Sequence, residues 1–275
     1  TSSWATAQQF LAETSAHVVC IQEHRLRGRE KIDEAYDWAA RMGWTSIWGE
    51  AEQTDKDGFS GGVAIFARNG VGLRQQEFDT NLRHRVVAGI LEAPSMPAMD
   101  IVSVYFKCVK GMAGEKGDLM AELAHFGDQS PRPGVIAGDF NAPPEVVAST
   151  KITDQINGRL LQPENNIPTC TAGKVHTTID HIIAYGGLQA GVESVRVVCG
   201  TTVKTHRPVE LQFKKELTSL RMRKLKKPPA ISTIPVAPCQ TYPEPPNYAN
   251  ERMLAATALK LAAAGNFRKA TIALD

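Results

Sequence analysis

The chain has 275 residues, 43% of them hydrophobic, and a net charge of +2, which is an ordinary globular composition. No apolar run approaches the length of a membrane span, and the N-terminal residues lack the hydrophobic region of a signal peptide. The five cysteines are scattered and contain no CxxC pair, which argues against a disulfide framework or a zinc site. These features favour a reducing, intracellular location, nuclear or cytoplasmic.

The predicted elements are strands with helices recurring between them. Helices are predicted at 5–14, 31–43 and within 114–129. Strands are predicted at 16–24, 44–50, 63–68, 86–93, 99–107, 134–140, 177–186, 194–199 and from 206 to 215, the fourth and fifth forming a hairpin. Strands outnumber helices, which predicts an α+β or layered α/β/α architecture rather than strict βαβ alternation.

The composition changes near residue 214. Residues 1–213 are predicted to form one domain, 214–249 a basic and proline-rich linker, and 250–275 a helical segment rich in alanine and leucine. Residues 214–275 carry a net charge of +7, which leaves −5 for the rest. The basic stretch fits either a solvated surface or a nucleic-acid contact. A mildly acidic domain that binds phosphate needs a divalent cation or a local basic patch.

Several predicted strands end in polar side chains. In VIAGDFNAPPEV, alternation places Asp139 and Asn141 on one face, and the two prolines stop further pairing. This pair fits either an ordinary turn or half of an active site. Other strands bring polar groups of the same kind: Glu23, Tyr105, Asp180 and His206. Each of these has an ordinary structural explanation when it is taken alone.

Taken in order, the motifs resemble the endonuclease/exonuclease/phosphatase superfamily, and most of all the endonuclease domains of non-LTR retrotransposons. The motifs are QEHRL (22–26), SGGVAIFAR (60–68), VSVYF (102–106), GDFNAPP (138–144), TTIDHII (177–183) and THRPVEL (205–211). The resemblance covers residues 1–213. It implies an α+β fold, a four-layer α/β sandwich in which two mixed β-sheets pack face to face with helices outside.

The resemblance also implies a Mg²⁺-dependent phosphodiesterase, with Mn²⁺ as an alternative ion and DNA, or RNA, as the partner. Glu23 matches the metal-binding glutamate of the family. Asp139 matches the aspartate that activates the attacking water, and Asn141 matches the asparagine that holds the phosphate. Such chemistry is physically consistent, because a hard cation neutralises an anionic phosphodiester and a nearby carboxylate activates water.

Three further residues follow from the resemblance. Tyr105 looks like the tyrosine that contacts the scissile phosphate, and His206 matches the histidine that binds it and stabilises its developing charge. Asp180 looks like the carboxylate that orients this histidine. A carboxylate beside an imidazole raises its pKa and fixes the ring, which suits it to donate to phosphoryl oxygens.

The sequence departs from the family pattern in two places. The family begins with a strand that carries a metal-binding asparagine, whereas this sequence begins at the following helix; we expect that first strand to be missing and the chain to be a fragment or a decayed copy. Thr205 stands where the family has an aspartate, which predicts weak Mg²⁺ binding. The leading hypothesis is a DNA endonuclease. The alternatives are an inactive nucleic-acid- or protein-binding pseudo-enzyme, and a phosphatase or lipid phosphodiesterase of the same superfamily.

Overall fold

The computed structural model describes residues 4–55, 58–93, 96–108, 111, 114–203 and 205–214. The predicted linker, apart from its first residue, and the predicted C-terminal helical segment lie outside the described residues. The helices are α1 (Trp4–Glu13), α2 (Arg29–Arg41), α3 (Glu115–Gln129), α4 (Pro144–Ser149) and α5 (Ile152–Gln155), with a 3₁₀ turn at Leu188–Gly191. Among these residues, no helix combines the length and the apolar character that crossing a bilayer requires.

The described strands are mostly short and buried. They are β1 (Val18–Gln22), β2 (Trp44–Gly49), β3 (Glu52–Gln53), β4 (Phe59–Ser60), β5 (Val63–Arg68), β6 (Gly72–Gln76), β7 (Val86–Glu92), β8 (Met99–Tyr105), β9 (Gly134–Asp139), β10 (Gly158–Leu161), β11 (Cys170–Ala172), β12 (Val175–Thr177), β13 (Asp180–Tyr185), β14 (Val192–Val197) and β15 (Val209–Phe213).

The strands form two main sheets. The larger sheet is mixed: its order is β10-β13-β9-β8-β7-β6, and β8 and β9 run parallel while the other described neighbours are antiparallel. The smaller sheet has the antiparallel order β1-β5-β2. Three short hairpins, β3-β4, β11-β12 and β14-β15, accompany them.

Three hydrophobic clusters separate four layers. The first, which includes Leu11 and Phe66, joins α1 and α2 to the outer face of the smaller sheet. The second lies between the two sheets and includes Ile65 and Ile101. The third packs α3, α4 and α5 on the other face of the larger sheet, around Leu123. The four-layer α/β sandwich expected from the sequence is thereby confirmed.

The parallel pairing of β8 and β9 depends on a glycine. Gly138 lies opposite Val104, and a Cβ at Gly138 would come within 1.8 Å of the Val104 carbonyl oxygen. No side chain fits in that space, so the glycine of GDFN is required by backbone packing. The close approach brings the ends of β8 and β9, and therefore Tyr105 and Asp139, side by side.

The sequence located most long elements to within a few residues, including the β7–β8 hairpin. It missed the short strands β3, β4, β6, β10 and β11 and the short helices α4 and α5. The predicted strand at 177–186 is interrupted, because β12 ends at Thr177 and β13 begins at Asp180. The last predicted strand begins at Val209 rather than at His206, which instead forms an isolated bridge with Cys170.

Candidate active site

Three neighbouring strands align polar side chains in one row. Asp139, the last residue of β9, lies directly opposite Asp180 on β13 and directly opposite Tyr105 on β8. Residues opposite each other on adjacent strands have Cβ atoms only about 5 Å apart, so the polar groups of these three side chains lie close together. The site therefore lies where central strands of the larger sheet end, at the carboxyl ends of β8 and β9.

Asp139 is the most buried carboxylate of this row, with 6% of its surface exposed. Burial, the largest cause, and the negative charges of Asp180 and Glu23 together raise its pKa to about 7, against the opposing effects of His206 and of the backbone N–H of Asn141. An aspartate whose pKa lies near neutrality can exchange a proton in the physiological range.

Asn141 forms the turn that follows β9 and also contacts the Asp139 carboxylate. Its backbone N–H donates to Asp139 Oδ1 at 2.8 Å and its side-chain Nδ2 donates to Asp139 Oδ2 at 3.1 Å, with Asn141 in a left-handed conformation (φ 45°). The same Nδ2 donates to the Phe106 carbonyl at 2.8 Å. Asn141 is thus a turn residue that also clamps the Asp139 carboxylate from one side.

His206 is held by Asp180. Its Nδ1 lies 3.0 Å from both carboxylate oxygens of Asp180, and both side chains are partly exposed. The hydrogen bond that His206 donates to Asp180 raises the pKa of His206, burial opposes this, and the charges of Asp180 and Asp139 add to the increase. With Nδ1–H donating to Asp180, the ring presents Nε2 to the other side, where it meets the Cys170 sulfur.

Glu23 reaches the site from the smaller sheet. It follows β1 in a left-handed conformation (φ 59°) and forms an ion pair with Arg25 at 3.1 Å. The Tyr105 hydroxyl is hydrogen-bonded to the Glu23 carboxylate, and burial together with this carboxylate raises the pKa of Tyr105 far above its usual range. Tyr105 therefore stays protonated and joins the two sheets at the site.

The local turn that carries Glu23 depends on two glycines. His24 N–H and Arg25 N–H donate to the carbonyls of Gly62 and Gly61, both at 3.2 Å. Both glycines have positive φ, and a Cβ at Gly62 would lie 2.6 Å from the buried His24 ring. The SGG motif is therefore needed to let the segment after β1 pack closely beside β5.

The six residues singled out from the sequence thus converge on one surface. Residues 5–202 also match the sequence model of the Endonuclease/Exonuclease/phosphatase family. The chain belongs to this family. Its members are hydrolytic phosphoesterases. A search of the curated proteins by sequence found no match.

Solved structures of the family share the fold at low sequence identity. A 3′-5′ exonuclease from Neisseria meningitidis has a TM-score of 0.55 and 20% identity over 76% of this chain and 93% of its own. An AP endonuclease from Archaeoglobus fulgidus has a TM-score of 0.58 and 14% identity over 76% and 93%. The endonuclease domain of a telomere-specific non-LTR retrotransposon has a TM-score of 0.58 and 14% identity over 77% and 93%.

A buried arginine that the sequence did not mark packs against Tyr105. Arg85 is 1% exposed, its Nε lies 3.2 Å from Glu115, and its Nη2 lies 3.6 Å from Glu52. Its guanidinium carbon lies 5.1 Å from the centroid of the Tyr105 ring, and its carbonyl accepts the Tyr105 N–H at 2.8 Å. The only sequence signal was a charged residue immediately before an apolar strand.

A buried lysine lies on the other side of the site. Lys116, in the first turn of α3, is 1% exposed, and its Nζ donates to the Asn141 carbonyl at 2.8 Å. Burial lowers its pKa. Lys116 and Asn141 line a cleft of about 320 Å³ that Cys108 and Val146 also border. This cleft adjoins Asp139, whose charge acts on Lys116.

The described residues contain one group with the donors and spacing of a metal site. One ligand atom each from Asp139, Asp180 and His206 lies within 4.8 Å of the other two. Glu23, which the family resemblance marks as the metal ligand, lies outside this group but acts electrostatically on Asp139. Thr205, in the place of the family aspartate, is exposed and has a positive φ of 71°.

Proposed function

We propose that this protein is a divalent-metal-dependent phosphodiesterase, and that it acts as an endonuclease on DNA in the manner of retroelement endonucleases. The observation that carries the proposal is the convergence of Asp139, Asp180 and His206 with Glu23 and Tyr105 on one strand edge. Two carboxylates, an oriented imidazole and a protonated phenol can supply the general base and the hydrogen-bond donors that assist phosphodiester hydrolysis.

Each residue takes one task. Asp139, whose pKa of about 7 suits a general base, accepts the proton of the water that attacks phosphorus. His206, kept protonated to higher pH by Asp180, donates from Nε2 to a phosphoryl oxygen as negative charge develops there. Tyr105, whose hydroxyl is bonded to Glu23 in the structure, would redirect that hydrogen bond to the scissile phosphate once a cation holds the Glu23 carboxylate, and Asn141 holds Asp139 in place and lines the phosphate position.

The donor set fits Mg²⁺, and Mn²⁺ is the alternative. Glu23 and Asp139 offer carboxylate oxygens, the ligands that hard cations prefer. Burial is the main cause of the raised pKa of Asp139, and the negative charges of Asp180 and Glu23 add to it; a bound dication would offset both the burial of this charge and the repulsion. When bound, the ion neutralises the phosphodiester and stabilises the departing alkoxide. Because Thr205 offers no carboxylate, we propose that the affinity is weak.

Solved proteins with the same fold support DNA as the substrate. They include AP endonucleases, a retrotransposon endonuclease domain, and a 3′ phosphatase from Neisseria bound to a product DNA hairpin. Thr205 supports a second candidate, an inactive relative that retains nucleic-acid binding, because a site that binds metal weakly loses catalysis before it loses DNA affinity.

Nicking of supercoiled plasmid in Mg²⁺ tests the proposal. Asp139→Asn and His206→Ala should each lower the rate by about 10²–10⁴-fold, the usual contribution of an acid or base. Their matched controls, Asp33→Asn and His125→Ala, change exposed side chains and should nick like the parent protein.

Absence of nicking at high protein and metal concentration, together with salt-sensitive DNA binding that survives Asp139→Asn, would favour the inactive relative instead. Inositol phosphates, sphingomyelin and a DNA 3′-phosphate assayed beside the plasmid separate the phosphatase and lipid phosphodiesterase alternatives. Faster turnover of one of these than of plasmid would overturn the assignment to an endonuclease.

A further inference from the structure

One buried histidine beside the site has no place among the tasks described above. His24 directly follows Glu23, is 1% exposed, and packs edge-on against the Trp48 ring, with the ring centroids 5.2 Å apart. Its ring fills the space that a Cβ at Gly62 would need, since that Cβ would lie only 2.6 Å from it. The side chain of His24 is therefore enclosed in the protein, while the neighbouring Glu23 carboxylate reaches the site.

The two ring nitrogens of His24 bond two different segments. Nδ1 accepts the backbone N–H of Leu26 at 3.0 Å, and Nε2 lies 3.2 Å from the carbonyl oxygen of Gly49, the last residue of β2. Because the Leu26 N–H can only donate, Nδ1 carries no proton, and Nε2–H donates to Gly49. Burial lowers the pKa of His24 to about 4, which agrees with a neutral ring. One side chain thus joins the turn after β1 to the end of β2.

The turn that contains His24 carries backbone strain. Glu23 and Arg25, on either side of it, both have a φ of 59°, in the left-handed region. For residues other than glycine this conformation costs free energy and persists only where the surroundings impose it. The backbone bonds from this turn to Gly61 and Gly62 are both 3.2 Å long, at the upper end of the usual range. The bonds of the His24 ring supply a further restraint on the turn.

We propose that His24 is a positioning residue, which accepts the Leu26 N–H to fix the strained turn and so directs the Glu23 carboxylate towards Tyr105 and the metal ion. The role rests on the proposed function, because it affects the reaction only if Glu23 binds the ion. Without the bond to Nδ1, the backbone at Glu23 can relax to negative φ, and the carboxylate leaves its hydrogen bond with Tyr105.

Two amide substitutions separate the two bonds of the ring. In His24→Asn the side-chain oxygen takes the place of Nδ1 and accepts the N–H two residues on, as asparagine does in turns. In His24→Gln the amide nitrogen takes the place of Nε2 and reaches Gly49, but no acceptor remains for Leu26. Each variant keeps one hydrogen bond and loses the other, so a purely structural role lowers the stability of both to a similar extent.

The affinity for Mn²⁺, measured on the full-length protein from the paramagnetic resonance signal of the free ion, tests the proposal without any need for activity. His24→Gln should weaken binding about tenfold or more, whereas His24→Asn should stay within about threefold of the parent. His125→Gln, which removes an exposed histidine, should bind like the parent. Circular dichroism must show that the variants are folded. Equal affinities in the two His24 variants, or a tenfold loss in His24→Asn, would overturn the proposal.

Amide hydrogen exchange without metal measures the geometry of the turn itself. The N–H groups of Arg25 and Leu26 should exchange about tenfold faster in His24→Gln than in His24→Asn, while the amides of β5 exchange alike in both. Equal exchange at Arg25 and Leu26 would refute the positioning role whatever the metal does. Failure of the parent to bind Mn²⁺ would count against the proposed function instead, and exchange alone would then decide whether His24 holds the turn.

Discussion

Ionising Asp139 should destabilise the folded protein, and the effect should depend on pH. In the folded state burial raises its pKa from 3.8 to about 7. Between those values the folded state binds a proton that the unfolded state has released, so stability falls as pH rises through this window and is constant above it. About three pKa units at ~1.4 kcal/mol each set an upper bound of about 4 kcal/mol, of which ~3 kcal/mol falls between about pH 5 and about pH 8.5.

Asp139→Asn should remove this fall. The substitution cannot keep both bonds from Asn141, whose backbone N–H and Nδ2 donate to the carboxylate at 2.8 and 3.1 Å. That loss costs about 1 kcal/mol at every pH, so it offsets the curve without changing its slope. The parent has already lost about 1.7 kcal/mol of this stabilisation at pH 5, so the variant should lie within about 1 kcal/mol of the parent near pH 5 and be about 3 kcal/mol more stable near pH 8.5.

Urea unfolding of the full-length parent and variant across this pH range measures the difference. The control Asp33→Asn, which changes an exposed carboxylate in an i,i+4 pair with Arg29, should parallel the parent curve. Mg²⁺ should recover stability of the parent at high pH, because the ion favours the ionised carboxylate, and should affect Asp139→Asn less. Parallel curves for the parent and Asp139→Asn would refute the reasoning.

Three further changes probe the surroundings of the site. Asp180→Asn should lower the pKa of His206, measured from the NMR titration of its ring proton, and reduce nicking by about 10²-fold or more. Arg85→Met should lower the free energy of unfolding by about 1–3 kcal/mol, because the partly exposed Glu52 and Glu115 and the Tyr105 ring lose the cation beside them, whereas Arg83→Met, on an exposed neighbour, should cost less than about 0.5 kcal/mol by the same urea assay. Thr205→Asn should stabilise the fold by about 1 kcal/mol by easing the positive φ, and only Thr205→Asp should also tighten Mg²⁺ binding by calorimetry.

The sequence predicted the layers well because hydrophobic periodicity controls them. Runs such as VAIFAR and VVAGILE are buried along nearly their whole length, and composition alone identifies such strands. The short elements β10, α4 and α5 were missed because segments of four to six residues carry too little periodicity. Their positions are set by packing against α3 and β13 rather than by their own sequence.

The candidate site was predicted as a set of residues but not as an arrangement. Family motifs marked Asp139 and Asp180, yet that the two lie opposite each other depends on the register of β9 with β13. No property of either segment alone reveals that register. Arg85 was missed for the same reason, since its place beside the site is visible only from its contact with Tyr105 on another strand.

The backbone around the site carries strain that local sequence preference does not favour. Glu23, Asn141 and Thr205 all adopt positive φ, which asparagine tolerates but which is unfavourable for a β-branched residue. Thr205 is fixed there because its carbonyl accepts the Thr171 N–H at 2.8 Å, in the segment that brings His206 beside Cys170. The fold thus maintains at Thr205 a conformation suited to aspartate or asparagine. We infer that the backbone at position 205 would accept an aspartate or an asparagine without rearrangement, because its φ is already positive.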